Sequence, residues 1–505
     1  MSSSSSSLCA TKGRRHECNK LGSGRAVWLL LPLVLYVVLK TGFIVLKSDL
    51  LLQDAHCFIS ARRQQQLLPL GVSKSEVPKG VGRVAPPATS KLTCNFSDFH
   101  SNVCEMEGDV RIHGKFGMVY VVSSPSSSSS TYRPEPEKKK KNSSVIRIRP
   151  YTRKWEEGTM SRIREVRIRE LDAGAGGGDP LPPPRCTVRH GGVPAVVFSV
   201  GGCGTNFFHA MSDVLIPLYV TAREHGGHVQ LVVADHDARW FAKYRKIVAA
   251  LSFYPVVDMD GDDVVRCFPA ARVGMWSHRM LGIDPARSPN GQLTMVGFRE
   301  FLRSVFSLPR PLSTPVSRRR SSGGNQQIIR RPRPRPRLVM LLRRNWRSLT
   351  NEADVIAALQ ALGFEVVAAR PEDMRDLARF ARVVNSCDVL VGVHGAGLTN
   401  MVFLPHNGTI VQIIPWGELK WASRYDYGDP VPDMGLRYAE YEVTAEETTL
   451  KDRYPRDHPV FADPLSIHRK GEVFKYFLGG QNVTLDIPRF INETMRPVYE
   501  SVTTE

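Results

Sequence analysis

The sequence predicts an α/β protein whose body consists of two doubly wound halves facing each other across a cleft. Short apolar runs of strand length alternate with segments of helical periodicity over residues 186–317, and again over 338–505. Such alternation is typical of parallel sheets, in which a helical crossover joins each strand to the next. A stretch rich in Arg and Pro over 318–337 separates the two series, so we expect a linker or surface insertion there.

The pattern places the individual elements. In the first half we predict strands at 195–200 and 229–234, and helices at 206–223 and 238–251. In the second half the predicted strands are 338–342, 365–369, 389–393 and 409–414, and the predicted helices are 351–362 and 371–384. A small β-rich region over 94–185 comes first, with short strands at 109–113, 145–149 and 162–169. Low-complexity runs at 123–141 and 173–184 interrupt this region.

The N-terminus predicts where the protein resides. Basic residues are concentrated in the head over 1–25, and the stretch 26–46 is apolar except for Lys40 and a few small residues. About 20 such residues suffice for a helix to cross a bilayer. The basic head favours a cytosolic N-terminus, and therefore a single-pass type II signal anchor followed by a stem over 47–93. A cleaved signal peptide is the alternative, but the head is long and no small-residue cleavage site is evident.

The net charge bears on the partners of the protein. The formal charge is +19, and eight arginines lie in the linker over 318–337. A basic arm of this kind can bind nucleic acid. A body in the secretory lumen would not meet nucleic acid, so we expect no such partner. An exposed loop near an acidic partner or a membrane surface is the simpler interpretation.

Glycosylation acceptors and cysteines agree with a lumenal body. Asn-x-Ser/Thr sequences occur at Asn95, Asn142, Asn407, Asn482 and Asn492. We discount Asn407, which is expected in a tight turn. Seven cysteines follow the predicted anchor, so in an oxidising compartment at least one has no partner within the chain. Cys94 and Cys104 are close enough in sequence to close a short loop.

A glycine-rich turn in the second half is a candidate phosphate site. It follows the predicted strand 389–393, begins a helix, and consists of His394, Gly395, Ala396 and Gly397. Glycine lets a ligand approach the backbone, and the unpaired N–H groups of a helix start favour an anion such as a diphosphate. Arg343 and Arg347 follow the first strand of the same half, and guanidinium groups bind phosphate oxygens. An ordinary tight turn beside solvated arginines is the alternative.

The first half contains a candidate acid–base pair. The flexible turn 201–206 precedes His209 and Asp213, which lie four residues apart and hence on one face of a helix. A His–carboxylate pair can deprotonate an acceptor hydroxyl, with either group as the base and the other as its orienting partner. Packing or capping roles would give the same spacing.

Metal binding is a weaker interpretation of the aspartates that follow strand 229–234. Asp258, Asp260, Asp262 and Asp263 form a DxD-like cluster, but Pro269 stands where a calcium loop requires glutamate. Turns commonly have this composition, so we predict no metal site.

At these segments the chain resembles glycosyltransferase family 61, especially its plant xylan pentosyltransferase branch. The matching segments include Cys94-Asn-Phe-Ser-Asp98, Glu107-Gly-Asp-Val-Arg-Ile-His-Gly114, Asn206-Phe-Phe-His-Ala-Met-Ser-Asp213, Arg343-Arg-Asn-Trp-Arg347, Val391-Gly-Val-His-Gly-Ala-Gly-Leu398, Ile414-Pro-Trp-Gly417 and Tyr427-Gly-Asp-Pro430. The resemblance implies a GT-B fold, inversion at the anomeric carbon, a UDP-sugar donor and no obligatory metal or other cofactor.

Individual residues match the motifs of that family. Its Asn-x-x-His-x-x-x-Asp stretch corresponds to Asn206, His209 and Asp213, and we expect Asn206 to help bind the donor while His209 and Asp213 act in catalysis. Its phosphate-side arginines correspond to Arg343 and Arg347. Its His-Gly-Ala turn corresponds to His394, Gly395 and Ala396. The chain departs from the family at Cys203, where a tyrosine is common, and this leaves the acceptor or donor specificity open.

The leading hypothesis is therefore a Golgi enzyme that transfers xylose or arabinofuranose from a UDP-sugar to xylan, alone or with other Golgi glycosyltransferases. Transfer of pentose or N-acetylglucosamine to a glycoprotein is a second enzymatic interpretation. A non-catalytic, membrane-anchored glycan-binding scaffold is a third. The joint presence of His209, Asp213, Arg343, Arg347 and His394 argues against the scaffold.

Overall fold

A computed structural model describes residues 90–123, 145–172, 182–313 and 335–504 of the chain. The predicted anchor at 26–46, most of the stem at 47–93, the acceptor Asn142 and most of the linker at 318–337 lie outside these ranges. Among the described helices, none has both the length and the apolar character that crossing a membrane requires.

The larger sheet of the described residues has ten strands, which in chain order are β1 (Lys91–Asn95), β2 (Val103–His113), β3 (Met118–Ser123), β4 (Ile146–Ile148), β5 (Val166–Asp172), β6 (Val188–Arg189), β7 (Ala195–Ser199), β8 (Gln230–Ala234), β9 (Val257–Asp258) and β10 (Val265–Val273). Their order in the sheet is β4-β5-β3-β2-β10-β7-β8-β9, with β1 paired to β2 and β6 paired to β10. The strands β10, β7, β8 and β9 run parallel to one another. This parallel part contains the strands predicted for the first half.

The predicted β-rich region does not have a sheet of its own. Its strand β2 pairs antiparallel with β10, so strands on both sides of residue 185 belong to one mixed sheet. The first strand begins at Lys91, inside the stretch predicted as stem. The predicted strand 162–169 starts only at Val166, because the Arg164 backbone N–H donates to the Asp235 carboxylate instead of to a neighbouring strand.

The smaller sheet contains the strands β11 (Arg337–Leu341), β12 (Glu365–Ala369), β13 (Val389–Val393), β14 (Thr409–Ile414) and β15 (Arg437–Glu442). Their order is β12-β11-β13-β14-β15, and every neighbouring pair is parallel. The order reverses between β11 and β13, and ligands of doubly wound sheets bind at such a switch point, beyond the carboxyl ends of the strands. Arg343 and the turn at His394 follow these two strands.

Most of the described α-helices are short. The described α-helices are Glu157–Met160, Phe207–His209, Ile216–Ala222, Ala238–Ala249, Met295–Phe306, Glu352–Leu362, Leu377–Asn385, Lys420–Ser423, Pro459–Ala462, Pro464–Arg469, Ile487–Arg489 and Arg496–Thr503. The helix predicted at 371–384 starts only at Leu377, because the Asp376 side chain accepts a hydrogen bond from the Arg379 N–H and caps it there. The turn at Gly395 leads into a 3₁₀ helix, Ala396–Phe403.

π-helical turns lie at Ala210–Leu215, Arg424–Gly428, Phe474–Leu478 and Phe490–Met495. π-turns are rare and are frequent at functional sites. The first of them interrupts the helix predicted at 206–223 and contains Asp213.

The two halves share one hydrophobic core. Phe198 and Phe298 of the first half belong to the same buried cluster as Leu341, Leu390 and Phe380 of the second half. Each fully buried side chain of this size contributes about 1.5–3 kcal/mol relative to exposure. The buried guanidinium of Arg299 adds a polar link, since it donates to the carbonyl oxygens of Val402, Leu404 and Met434.

Disulfides join Cys94 to Cys104, the pair expected from its spacing, and Cys186 to Cys267. Cys203 is also disulfide-bonded. Among the described cysteines, Cys387 alone is a free thiol, and it is buried.

Candidate active site

The acid–base pair of the first half is formed in the structure. His209 and Asp213 are both buried, and the His209 Nδ1 lies 2.9 Å from the Asp213 Oδ2. Asn206 begins this helical segment, and its side-chain oxygen accepts a hydrogen bond of 2.9 Å from the Phe208 N–H. Asn206 therefore fixes the start of the segment that holds the pair.

Two further side chains contact the pair, and no sequence pattern predicts them. They come from the segment between β4 and β5, whose Pro150 carbonyl accepts a hydrogen bond from the Ser199 N–H at the end of β7. The Tyr151 hydroxyl donates to the Asp213 Oδ2 at 3.1 Å. The Arg153 guanidinium lies 3.6 Å from the Asp213 Oδ1 and is also ion-paired with Glu156.

These contacts determine the charge of Asp213. Burial acts to raise its pKa, but Arg153 and His209 outweigh burial, so the pKa of Asp213 lies below its ordinary value. The His209 Nδ1 has two neighbours, the Asp213 Oδ2 at 2.9 Å and the Arg153 NH1 at 3.3 Å. Because the carboxylate is the nearer neighbour and can only accept, we assign the proton of the neutral tautomer to Nδ1. The other ring nitrogen, Nε2, then has a free lone pair, and no described residue hydrogen-bonds to it.

The turn over 201–206 is shaped by the same residues. A Cβ on Gly202 would lie 2.3 Å from the Tyr151 ring, so only glycine lets this phenol reach Asp213. The Cys203 N–H donates to the Tyr151 hydroxyl at 3.2 Å. The turn therefore holds Tyr151 rather than offering an open loop to a ligand.

The turn of the second half lies against both predicted arginines. Gly395 has a φ of +147°, and a Cβ there would lie 2.5 Å from the Arg343 NH1 and 3.4 Å from the Arg347 NH1. Arg347 donates to the His394 carbonyl at 2.9 Å, while Arg343 donates to the Trp346 carbonyl at 2.8 Å. Two guanidinium groups and the glycine turn thus meet at the switch point of the sheet.

His394 has surroundings unlike those of His209. Its Nδ1 lies 2.7 Å from the Gln412 Nε2, on the neighbouring strand β14. Burial, reinforced by the charges of Arg347 and Arg343, holds the pKa of His394 well below its ordinary value. His394 is therefore a neutral imidazole at physiological pH.

A chain of aromatic rings connects the two sites. The rings of His209 and Phe208 are 5.2 Å apart, those of Phe208 and Tyr427 are 5.5 Å apart, and those of Tyr427 and His394 are 5.7 Å apart. Edge-to-face pairs at such distances add about 0.5–1.5 kcal/mol each to the burial of the rings. The acid–base pair and the glycine turn therefore lie on either side of a short aromatic bridge.

Asp426 lies between the two sites, in the π-turn Arg424–Gly428. Its Oδ2 is 4.0 Å from the His394 Nε2, and no described residue donates a hydrogen bond to its carboxylate. Burial, opposed by Arg153 and assisted by Asp213, raises the pKa of Asp426 to about 7. A buried carboxyl group with such a pKa between two candidate sites is typical of functional residues.

The aspartates that could have formed a metal site have other partners. Asp260 is paired with Arg164, Asp262 with Arg266 and Asp263 with Lys115. Within the described ranges, no group of three or more His, Cys, Asp or Glu side chains could hold a metal ion.

The described glycosylation acceptors lie at or near the surface. Asn407 and Asn492 are exposed, whereas Asn95 and Asn482 are half-buried. The Asn482 Oδ1 accepts hydrogen bonds from the Ser348 N–H and hydroxyl, at 3.1 and 2.9 Å.

Comparison with known proteins identifies the family. Residues 207–411 match the family model described as Glycosyltransferase 61. The chain is 41% identical over 403 residues to beta-1,2-xylosyltransferase XYXT1 of Oryza sativa subsp. japonica, covering 79% of this chain and 82% of the relative. It is 32% identical over 431 residues to xylan glycosyltransferase MUCI21 of Arabidopsis thaliana, covering 84% and 83%. The chain belongs to glycosyltransferase family 61.

A third relative is longer than this chain. Alpha-1,3-arabinosyltransferase XAT3 of Oryza sativa subsp. japonica is 41% identical over 403 residues, which are 79% of this chain. The match spans 64% of that relative, less than two thirds of its length.

Proposed function

We propose that the chain is an inverting glycosyltransferase with a GT-B-like arrangement, in which the first half activates an acceptor hydroxyl and the second half binds a UDP-sugar. One observation is central: a buried His–Asp pair lies across an aromatic bridge from two arginines at a glycine turn. The pair supplies a base, and the arginines supply positive charge for a diphosphate. Family membership supports the class of reaction.

In the proposed reaction, His209 is the base and Asp213 orients it. Nε2 of His209 takes the proton of the acceptor hydroxyl as its oxygen bonds to the anomeric carbon. The bond from that carbon to the phosphate oxygen breaks, and its electron pair leaves with UDP. Charge develops on the diphosphate, where Arg343, Arg347 and the N–H groups of the turn stabilise it. Because attack and departure occur on opposite faces, the anomeric configuration inverts.

We further propose that the transferred sugar is xylose or arabinofuranose and that the acceptor is xylan. The supporting observation is the set of relatives, whose names specify xylosyl transfer, arabinosyl transfer or xylan. We propose no obligatory metal, since the two arginines can balance the charge of the diphosphate. We also propose a type II anchor, which rests on the basic head and the apolar stretch at 26–46. The proposed Golgi location rests on the likeness to enzymes that act on xylan.

The test uses membranes from cells that express the full chain. UDP-xylose and UDP-arabinofuranose are offered with xylo-oligosaccharides, with and without a chelator, beside a glycoprotein acceptor. We expect pentose transfer to the xylo-oligosaccharide that the chelator leaves intact. Transfer only to the glycoprotein would refute the xylan acceptor, and loss of activity with the chelator would refute the metal-free mechanism. No transfer or donor hydrolysis at all would favour the scaffold.

A further inference from the structure

The environment of His394 contains a hydrogen-bonded chain that leads away from the site. The fully buried Gln412 presents Nε2 to the His394 Nδ1 at 2.7 Å and Oε1 to the Tyr438 hydroxyl at 2.8 Å. Gln412 lies on β14 and Tyr438 on β15, the two strands beyond the switch point. The orientation of this amide decides which nitrogen of His394 has the proton.

We assign the orientation of the amide from its two partners. The Gln412 Oε1 lies 2.8 Å from the Tyr438 hydroxyl, which can donate to it, and the Gln412 Nε2 lies 2.7 Å from the His394 Nδ1. The Tyr438 hydroxyl also lies 3.1 Å from the Glu440 Oε2, and the Glu440 carboxylate accepts from the Arg424 guanidinium at 2.8 and 2.6 Å. In this orientation the N–H group of the amide donates to His394.

The proton of His394 then resides on Nε2. An amide N–H that donates to Nδ1 requires a lone pair there, and the neutral ring has one proton, which remains on the other nitrogen. Other charged or titratable groups face the ring as well. They are Arg343 and Arg347 beyond β11, and Asp426 and Tyr427 in the π-turn.

We propose that Gln412 is a positioning residue that holds His394 as a neutral Nε2–H donor to an oxygen of the departing diphosphate. This inference rests on the proposed function. A donor that is already oriented stabilises charge that develops on a leaving group without reorganising. The two arginines provide net charge, and His394 provides one directed hydrogen bond.

The variant Gln412→Glu tests the proposal, because a carboxylate would accept a hydrogen bond from Nδ1–H and so favour the tautomer in which Nε2 has no proton. We expect kcat at pH 8 to fall on the order of 100-fold, as expected for loss of one such donor. Acidification should restore kcat towards wild type. A proton on the new carboxyl group or on the imidazole returns a proton to Nε2 in either case.

Two further variants separate the loss of the Gln412 hydrogen bonds from the general effect of a buried carboxyl group. Gln412→Leu removes both hydrogen bonds and has no carboxyl group to protonate, so its loss of kcat should recover less at low pH than that of Gln412→Glu. Gln230→Glu places a carboxyl group at a buried glutamine of the first sheet and should show no acid-dependent recovery. Thermal melting of each variant shows whether it is folded.

Failure of this inference is distinct from failure of the proposed function. A wild-type chain that neither transfers sugar nor binds UDP refutes the proposed function. An active wild type whose Gln412→Glu variant keeps full kcat, or stays equally impaired at every pH, refutes the positioning role. UDP affinity, measured by calorimetry over the same pH range, should follow the same recovery.

Discussion

The two halves of the molecule each place a buried histidine at the edge of a parallel sheet, and the neighbours of the two rings differ. His209 stands beside the carboxylate of Asp213, whereas His394 stands beside the amide of Gln412 and two arginines. A carboxylate accepts a hydrogen bond from Nδ1–H, so the lone pair of a neutral ring lies on Nε2. An amide N–H that donates to Nδ1 reverses this arrangement and leaves the proton on Nε2. In the proposed reaction the same side chain thus has opposite roles, as a base in the first half and as a hydrogen-bond donor in the second, and the neighbour at Nδ1 determines which one.

The largest expected effect comes from making the first site resemble the second. In Asp213→Asn the amide group can donate to Nδ1, so Nε2 of His209 loses its function as a base. We expect kcat to fall about 10²–10⁴-fold, the usual contribution of a general base. Asp388→Asn is the control, since Asp388 is a buried carboxylate paired with Arg310 in the second half. Full kcat in Asp213→Asn would refute the role of the pair.

Removing charge at the second site should affect binding of the donor. Arg347→Ala removes a guanidinium that contacts the turn, and we expect UDP affinity to fall on the order of 100-fold, as for loss of a charge-assisted hydrogen bond of about 1.5–3 kcal/mol. Arg344→Ala is the control, because Arg344 is an exposed neighbour paired with Glu372. Equal losses of UDP affinity in both variants would mean that UDP responds to the general positive charge of this surface and not to a specific contact with Arg347.

Asp426, between the sites, should make stability depend on pH. Its pKa is raised to about 7 in the folded chain, so the folded state binds this proton more tightly than the unfolded state does. Stability from this group is therefore present at low pH and is lost as pH rises towards 7. Relative to Asp426→Asn, the wild type should lose about 2–3 kcal/mol between pH 5 and pH 8. Denaturant titrations at both pH values measure this, and a constant difference would contradict the raised pKa.

The smallest expected effects come from substitutions in the two glycine turns, one of which should lower kcat and the other UDP affinity. The Cβ of Gly202→Ala would collide with the ring of Tyr151, which contacts Asp213, whereas the Cβ of Gly395→Ala would collide with the guanidinium of Arg343. We expect the first change to lower kcat roughly 10-fold and the second to weaken UDP binding roughly 10-fold, the effect of about 1.4 kcal/mol. Gly191→Ala is the control, since a Cβ there would meet no atom within 4 Å. If each change lowered both quantities equally, the two sites would not be independent.

Much of the second half could be predicted from sequence, because its strands are continuous apolar runs. The predicted bounds of β12, β13 and β14 agree with the structure. The strand β15 was missed because Arg437–Glu442 alternates charged and aromatic residues at the edge of the sheet. The β-rich region was predicted to stand apart because sequence patterns do not reveal that β2 pairs with β10.

The candidate site could be predicted only where its residues share a local pattern. His209 and Asp213 lie four residues apart in one helical segment after β7. Arg343 comes shortly after β11, and the turn at His394 comes directly after β13. Arg153 reaches Asp213 from a segment about sixty positions away, and no periodicity links them. Asp426 directly precedes the Tyr427 motif, but its significance arises from burial and from charges on the other half.

The central claim is that the first half performs the chemistry and the second half binds UDP. The most direct test measures kcat and the UDP dissociation constant side by side for Asp213→Asn and the wild type. We predict that kcat falls at least 100-fold, within the range of about 10²–10⁴ for a general base, while the UDP dissociation constant changes less than about twofold, under 0.5 kcal/mol. A variant that loses UDP binding as strongly as it loses kcat would contradict this division.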